Sequence, residues 1–239
     1  MSLSDKRIVI LGGTSGLGLA TALASADAGA RVVVVSSRQT SVDAALAQLP
    51  ASAEGFAVDL TDSLALGAFF EALGRFDHLV YTAGETLTFQ ALADYDIAAA
   101  RKVFELRFFT ALEAARLSLP LLNGGGSITF TSGTAALRPG PTWTIGSAWC
   151  SAMIAAGKAL AIEIAPLRVN TIVPGLTRTP VWNGMSQDEQ DALFASSGAS
   201  LPLGRVAEPS DVAKAFLAMI DTDYVTGQTL VVDGGGVLV

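Results

Sequence analysis

The sequence predicts an α/β protein built as a single-domain, doubly wound parallel sheet of about seven strands with helices on both faces. Three observations carry this. Short β-branched runs alternate with Ala- and Leu-rich stretches of helical period, without a break in composition or an internal repeat. The length, 239 residues, suits one large domain. Apolar residues make up 51% of the chain and charged residues only 15%, enough for a sizeable core and too apolar for a disordered tail.

The elements follow in order. Arg7–Leu11 reads as a buried strand, then a glycine-rich turn, then a helix over Leu17–Ala28. Strands over Arg31–Val35, Gly55–Val58 and His78–Thr82 alternate with helices over Val42–Leu49 and Ser63–Leu73. A long helix over Ala98–Leu119, a strand over Ser127–Thr131, a helix over Ala148–Ala165 and a strand over Arg168–Val173 come next. Between Gly175 and Ala207 lie Pro180, Gly184, Gly198, Pro202 and Gly204, so residues 176–207 are expected to form an irregular flap. Thr229–Val232 is the last strand.

Composition excludes several partners. Fifteen Lys+Arg against 22 Asp+Glu give a net charge of -7, which argues against binding a nucleic-acid backbone. The single cysteine, Cys150, leaves no internal disulfide framework, and no metal site is expected. The start, Met1 to Arg7, is polar, and Ile8–Leu11 is too short for a signal core or a membrane span. A cytoplasmic protein acting on a small molecule, with no membrane partner, is the expectation.

The turn Gly12-Gly13-Thr14-Ser15-Gly16-Leu17-Gly18 sits between the first strand and the first helix. Glycines there allow the turn and let the backbone approach a pyrophosphate, while the helix N-terminus offers free N–H groups to the anion. The second strand ends at Ser36-Ser37-Arg38, and no Asp or Glu lies between Arg31 and Val42. A carboxylate at this place would repel a 2′-phosphate whereas an arginine pairs with it, so Ser37 and Arg38 point to NADP(H). Asp59 either accepts from the adenine amino group or caps the following helix.

These residues resemble the short-chain dehydrogenase/reductase family, a Rossmann-like fold, along nearly the whole chain. The glycine turn Gly12-x-x-x-Gly16-x-Gly18, Ala83-Gly84 after the fourth strand, and Arg168-Val169-Asn170 leading to Pro174-Gly175 and Thr179-Pro180 are similar to its motifs. So are Leu203-Gly204-Arg205, the Glu208–Ala213 segment and Thr226-Gly227-Gln228 running to Asp233-Gly234-Gly235. The resemblance implies that Thr14, Ser15, Leu17, Arg38, Asp59, Leu60, Ala83, Gly84, Pro174, Gly175, Leu176 and Thr179 line the cofactor. It also implies a homodimer or homotetramer packed through the long helices.

The family's Tyr and Lys, which supply and tune the proton, do not have counterparts at their usual spacing. Tyr81, Tyr95 and Tyr224 are followed four positions later by Glu85, Ala99 and Gln228. Family spacings place the four catalytic positions at Arg107, Gly133, Gly146 and Cys150. A slip of one residue gives Ser132, Ile145 and Trp149, or Thr134, Ser147 and Ser151, without restoring the pair. Tyr95 and Lys102 have an enoyl-reductase-like spacing but precede the fifth strand, where such a pair does not belong. Arg107, Ser132 and Ser147 are therefore the expected substrate-polarising residues of an atypical oxidoreductase. Arg107 has the alternative of an ion pair with Glu105 or Glu113. The competing expectations are a non-catalytic NADP(H)-binding or sensing protein and a structural partner subunit.

Overall fold

In the computed structural model, which describes residues 3–87 and 89–239, seven strands form one parallel sheet in the order β3-β2-β1-β4-β5-β6-β7. The strands are β1 (Arg7–Leu11), β2 (Arg31–Ser36), β3 (Glu54–Ala57), β4 (Phe76–Tyr81), β5 (Leu122–Thr131), β6 (Arg168–Pro174) and β7 (Thr229–Val232). The helices are α1 (Gly16–Asp27), α2 (Gln39–Leu46), α3 (Ser63–Leu73), α4 (Ile97–Phe104), α5 (Thr110–Ser118), α6 (Thr144–Glu163), α7 (Gln187–Ser200) and α8 (Pro209–Asp221). The central strands are apolar on both faces because each face carries its own core. Val9, Leu11 and Leu79 face one cluster with Phe70 and Phe130, and Ile8, Ile10 and Val80 face another with Phe216 and Val212.

The strand order reverses between β1 and β4, so the loops after these two strands diverge and leave a crevice at their carboxyl ends. All the expected site residues after a strand fall at this edge.

The structure changes three expectations. The long helix over Ala98–Leu119 is one rod interrupted by a π-helical turn at Glu105–Phe109, which separates α4 from α5. The flap is not irregular throughout: it holds a 3-10 turn at Pro180–Trp182 and the 14-residue helix α7. Its apolar residues are too few to show a helical stripe, but Ser186 and Glu189 form a reciprocal capping box that starts the helix. Third, the helix expected over Ala148–Ala165 begins earlier, as the 20-residue α6 from Thr144, which is apolar enough by length and composition to cross a membrane. It is instead docked on the sheet, where a Cβ at Gly157 would stand 2.5 Å from Thr171 Oγ1 of β6.

Candidate active site

The cradle is built from backbone. Gly12 has φ +85°, and a Cβ there would lie 2.5 Å from the Ala83 nitrogen, so the loop after β4 rests directly on the turn after β1. A Cβ at Gly18 would collide with the Gly12 carbonyl oxygen and sit 2.5 Å from Thr82 Oγ1. Thr82 Oγ1 donates to the carbonyls of Leu11 and Gly12, tying β4 to β1. Ser15 precedes α1 in extended conformation, and its side chain caps none of the helix's first N–H groups. Those N–H groups therefore remain available to an anion, which is the chemistry a pyrophosphate needs. Gly16 faces Thr179, 3.3 Å from where its Cβ would be, so the segment after β6 closes the cradle from the other side. Gly175 lies 2.7 Å (again to its would-be Cβ) from Asp233, which fixes the chain between Pro174 and Leu176 against the strand after it.

Ser37 and Arg38 follow β2 at the same edge and are exposed, and Arg38 makes no salt bridge among the described residues. Asp59 does not cap a helix: its Oδ1 accepts from the Thr61 N–H and hydroxyl at 3.0 and 2.8 Å. The cap of α3 is Asp62, which takes the N–H groups of Leu64 and Ala65. Leu60 is buried in the same core cluster as Leu66.

The reaction end is made of side chains from three elements. The π turn between α4 and α5 carries Arg107, whose side chain is 11% exposed. Its Nε donates to Glu85 Oε1 at 3.2 Å and its Nη2 donates to the Glu85 carbonyl. The guanidinium lies over Gly84, where a Cβ would be 2.7 Å from Nη1, and its carbon stands 5.0 Å from the Trp149 ring of α6. The ion pair is thus with Glu85, not with Glu105 or Glu113. Glu113 instead pairs with Arg116 at 2.6 Å. Nothing local in the sequence marks Glu85, since its partner is contributed by the π turn 22 positions later.

Tyr81 holds the π turn in place. Its hydroxyl donates to the Leu106 carbonyl of that turn at 2.5 Å, tying β4 to the π turn. Burial pushes the Tyr81 hydroxyl pKa up, against the Arg107 charge, which pulls it down. The bond and the burial together make it a poor proton donor.

Around Arg107 the other expected residues divide. Ser132 is buried at the end of β5 and donates to the Cys150 carbonyl at 2.8 Å, which pins α6 to the sheet. The Cys150 thiol is buried and pushed up to about 12, chiefly by burial, so it is a packing group rather than a nucleophile. Ser147 Oγ is buried and has no hydrogen-bond partner among the described residues. A Cβ at Gly133 would meet only Cys150 Sγ, at 3.2 Å, and one at Gly146 would meet open space. His78 is remote from this cluster: it is buried beside Ser127, with Nδ1 and Oγ 2.8 Å apart.

Three loops close the top. Phe89 lies 5.7 Å from Trp143 and stacks on Trp182 at 6.2 Å, and Trp182 meets Phe194 of α7 edge-on. The Leu87 N–H bonds to the Val181 carbonyl and the Gln90 N–H to that of Thr142, both at 3.2 Å. Tyr95 is half-exposed and Lys102 exposed on α4, neither placed in this cluster.

Comparison with known proteins agrees with this architecture. A family model described as enoyl-(acyl carrier protein) reductase matches residues 12–236. A short-chain dehydrogenase/reductase of Stachybotrys chlorohalonatus is 34% identical over 252 residues, covering 99% of each chain. A small-chain dehydrogenase solved in complex with NADPH superposes with a TM-score of 0.88 at 36% identity, covering 98% of this chain and 99% of that one. A short-chain oxidoreductase of Pseudomonas aeruginosa PAO1, described as containing an atypical catalytic center, superposes at 0.89 with 29% identity over 98% of each chain. With a matching model over almost its whole length and relatives of this similarity, the chain belongs to the short-chain dehydrogenase/reductase family of oxidoreductases.

Proposed function

We propose that the protein is an NADPH-dependent reductase of a small activated carbonyl compound, working through a rebuilt reaction centre. The glycine cradle with its uncapped α1 terminus supports pyrophosphate binding by residues 12–18. The exposed Arg38 beside Ser37 supports recognition of a 2′-phosphate, with Asp59, Leu60, Ala83, Gly84, Pro174, Gly175, Leu176 and Thr179 along the rest of the cofactor. A reduced nicotinamide bound there supplies the hydride.

The single observation that carries the reading is Arg107: a half-buried guanidinium laid over Gly84, with Nη1 free of hydrogen bonds among the described residues. Such a donor polarises a carbonyl and stabilises the negative charge that develops on its oxygen. Ser147 offers an unpartnered hydroxyl, and Ser132 positions α6 through the Cys150 carbonyl. In this reading Gly133, Gly146 and Cys150 occupy the places of the family's serine, tyrosine and lysine. The proton then comes from water entering the open volume at Gly146, because Tyr81 and Cys150 are both pushed towards their neutral forms.

The lack of a titrating donor also favours a second reading, a protein that binds or senses NADPH without turning it over, or that supports a catalytic partner. Loss of NADPH absorbance with a panel of activated dicarbonyls decides between them: tight binding without turnover overturns the reductase. Arg107→Met should lower kcat/KM about 10²- to 10³-fold while NADPH affinity is unchanged. Arg38→Ala should weaken NADPH binding and hardly change NADH binding; equal losses would remove the 2′-phosphate contact. A cytoplasmic, single-domain homodimer or homotetramer packed through the α4–α5 rod and α6 completes the proposal.

A further inference from the structure

We infer that Glu85 sets the charge of the substrate: with Arg107 it forms a subsite for a neutral carbonyl group and turns carboxylates away. This rests on the reading that Arg107 faces the reacting carbonyl, and it decides between the two tasks open to a buried arginine in such a site, polarising a carbonyl or holding a carboxylate.

One residue satisfies two sides of the guanidinium. Glu85 accepts from Nε through its carboxylate and from Nη2 through its main-chain carbonyl, and the guanidinium lies over the Trp149 ring. The carboxylate already neutralises Arg107. Cys150 and Tyr81 are neutral there, so a bound carboxylate would be a second negative charge on a guanidinium that Glu85 already neutralises. Two like charges sharing one counter-charge disfavour each other by roughly a factor of ten in a binding constant.

The second carboxylate oxygen refines the class of ligand. Glu85 Oε2 is buried and has no hydrogen-bond partner among the described residues, a state that costs free energy until a donor reaches it. In the same ion pair, Arg107 Nη1, which stands over Gly84, is a donor without an acceptor among the described residues. A neutral compound with an O–H or N–H next to its carbonyl, such as an α-hydroxy ketone or a 2-oxo amide, satisfies both groups at once. A 2-oxo acid offers no donor and adds charge.

The test compares pyruvamide with pyruvate, which differ little in shape and by one charge. Each is titrated by tryptophan fluorescence into the full-length protein saturated with NADP+, so that no turnover is needed. The wild-type protein should bind pyruvamide at least about tenfold more tightly than pyruvate. Glu85→Gln should reverse the order, with pyruvate gaining about tenfold or more and NADP+ affinity unchanged. Pyruvate binding as well as pyruvamide to the wild type, an unaltered ratio in the variant, or no binding of either ligand would each overturn the subsite. Should the variant not fold, the wild-type ratio still decides. If the ratio holds while no carbonyl consumes NADPH, the charge subsite stands and the reductase falls. Turnover of 2-oxo acids in preference to their amides would give the opposite outcome.

Discussion

The two ends of the crevice are built on opposite principles. The cofactor end is backbone: glycines at 12, 16 and 18, an uncapped helix terminus, and two loops in contact across would-be Cβ positions. The reaction end is side chain: Arg107 from the π turn, Glu85 from the loop after β4 and Trp149 from α6. At the first end a site exists because side chains are missing, so a single added carbon abolishes it. At the second, each group is held by a partner from another element, so its loss is graded.

That contrast can be broken at its strongest point first. Gly18→Ala places a methyl group against the Gly12 carbonyl and Thr82, and the backbone has nowhere to move. We expect a destabilisation of about 3 kcal/mol and NADPH binding weakened by two orders of magnitude or more, roughly, read by thermal unfolding and fluorescence titration. An alanine variant with unchanged affinity would mean that the cradle is not a backbone site.

A change distant from both ends should affect neither selectively. Burial, helped by the charges of Arg168 and Lys6 and opposed by Asp77, lowers the His78 pKa from 6.5 to about 4. The folded value lies below the unfolded one, so the unfolded chain binds the proton more readily. The stability contributed is complete above about pH 6.5 and is lost as pH falls towards 4, by up to roughly 3 kcal/mol. Urea unfolding between pH 7 and 4 should show this slope, and His78→Gln should flatten it while leaving NADPH affinity at pH 7 as it was.

The smallest effect sharpens the reaction end. Tyr81→Phe keeps the ring and removes only the bond to the Leu106 carbonyl, at a cost of about 1 kcal/mol. If that bond holds the π turn, the variant should change the emission of Trp149 in a Trp143→Phe, Trp182→Phe background, because Arg107 leaves its face. NADPH affinity should stay constant. A stability loss with unaltered Trp149 emission would reduce Tyr81 to a core residue.

Much of the architecture was legible residue by residue. The run Arg7–Leu11 before Gly12-Gly13 and the run Thr229–Val232 appear as strands with the expected limits, because β-branched residues between glycines have few other places to pack. Helix α7 was not legible from its pattern. Its side chains are largely polar, and the signal lies in the Ser186–Glu189 cap rather than in a stripe. The start of α6 at Thr144 rather than Ala148 is not legible either, since Ile145-Gly146 carries no helical preference and the capping residue Trp143 makes no side-chain cap.

Sequence by itself determined the sheet, the phosphate turn, the arginine after β2 and the absence of any Tyr-x-x-x-Lys. These features are local: spacing of a few residues decides them, and backbone conformation follows from glycine and β-branched content. Only the tertiary structure decided that Arg107 pairs with Glu85, that Tyr81 bonds the bulged carbonyl of Leu106, and that the space at Gly146 is open. Those facts join positions on β4, the π turn and α6, and they arise when packing brings a charged group into a site with little water. There it takes the partner that geometry provides, whatever the distance along the chain.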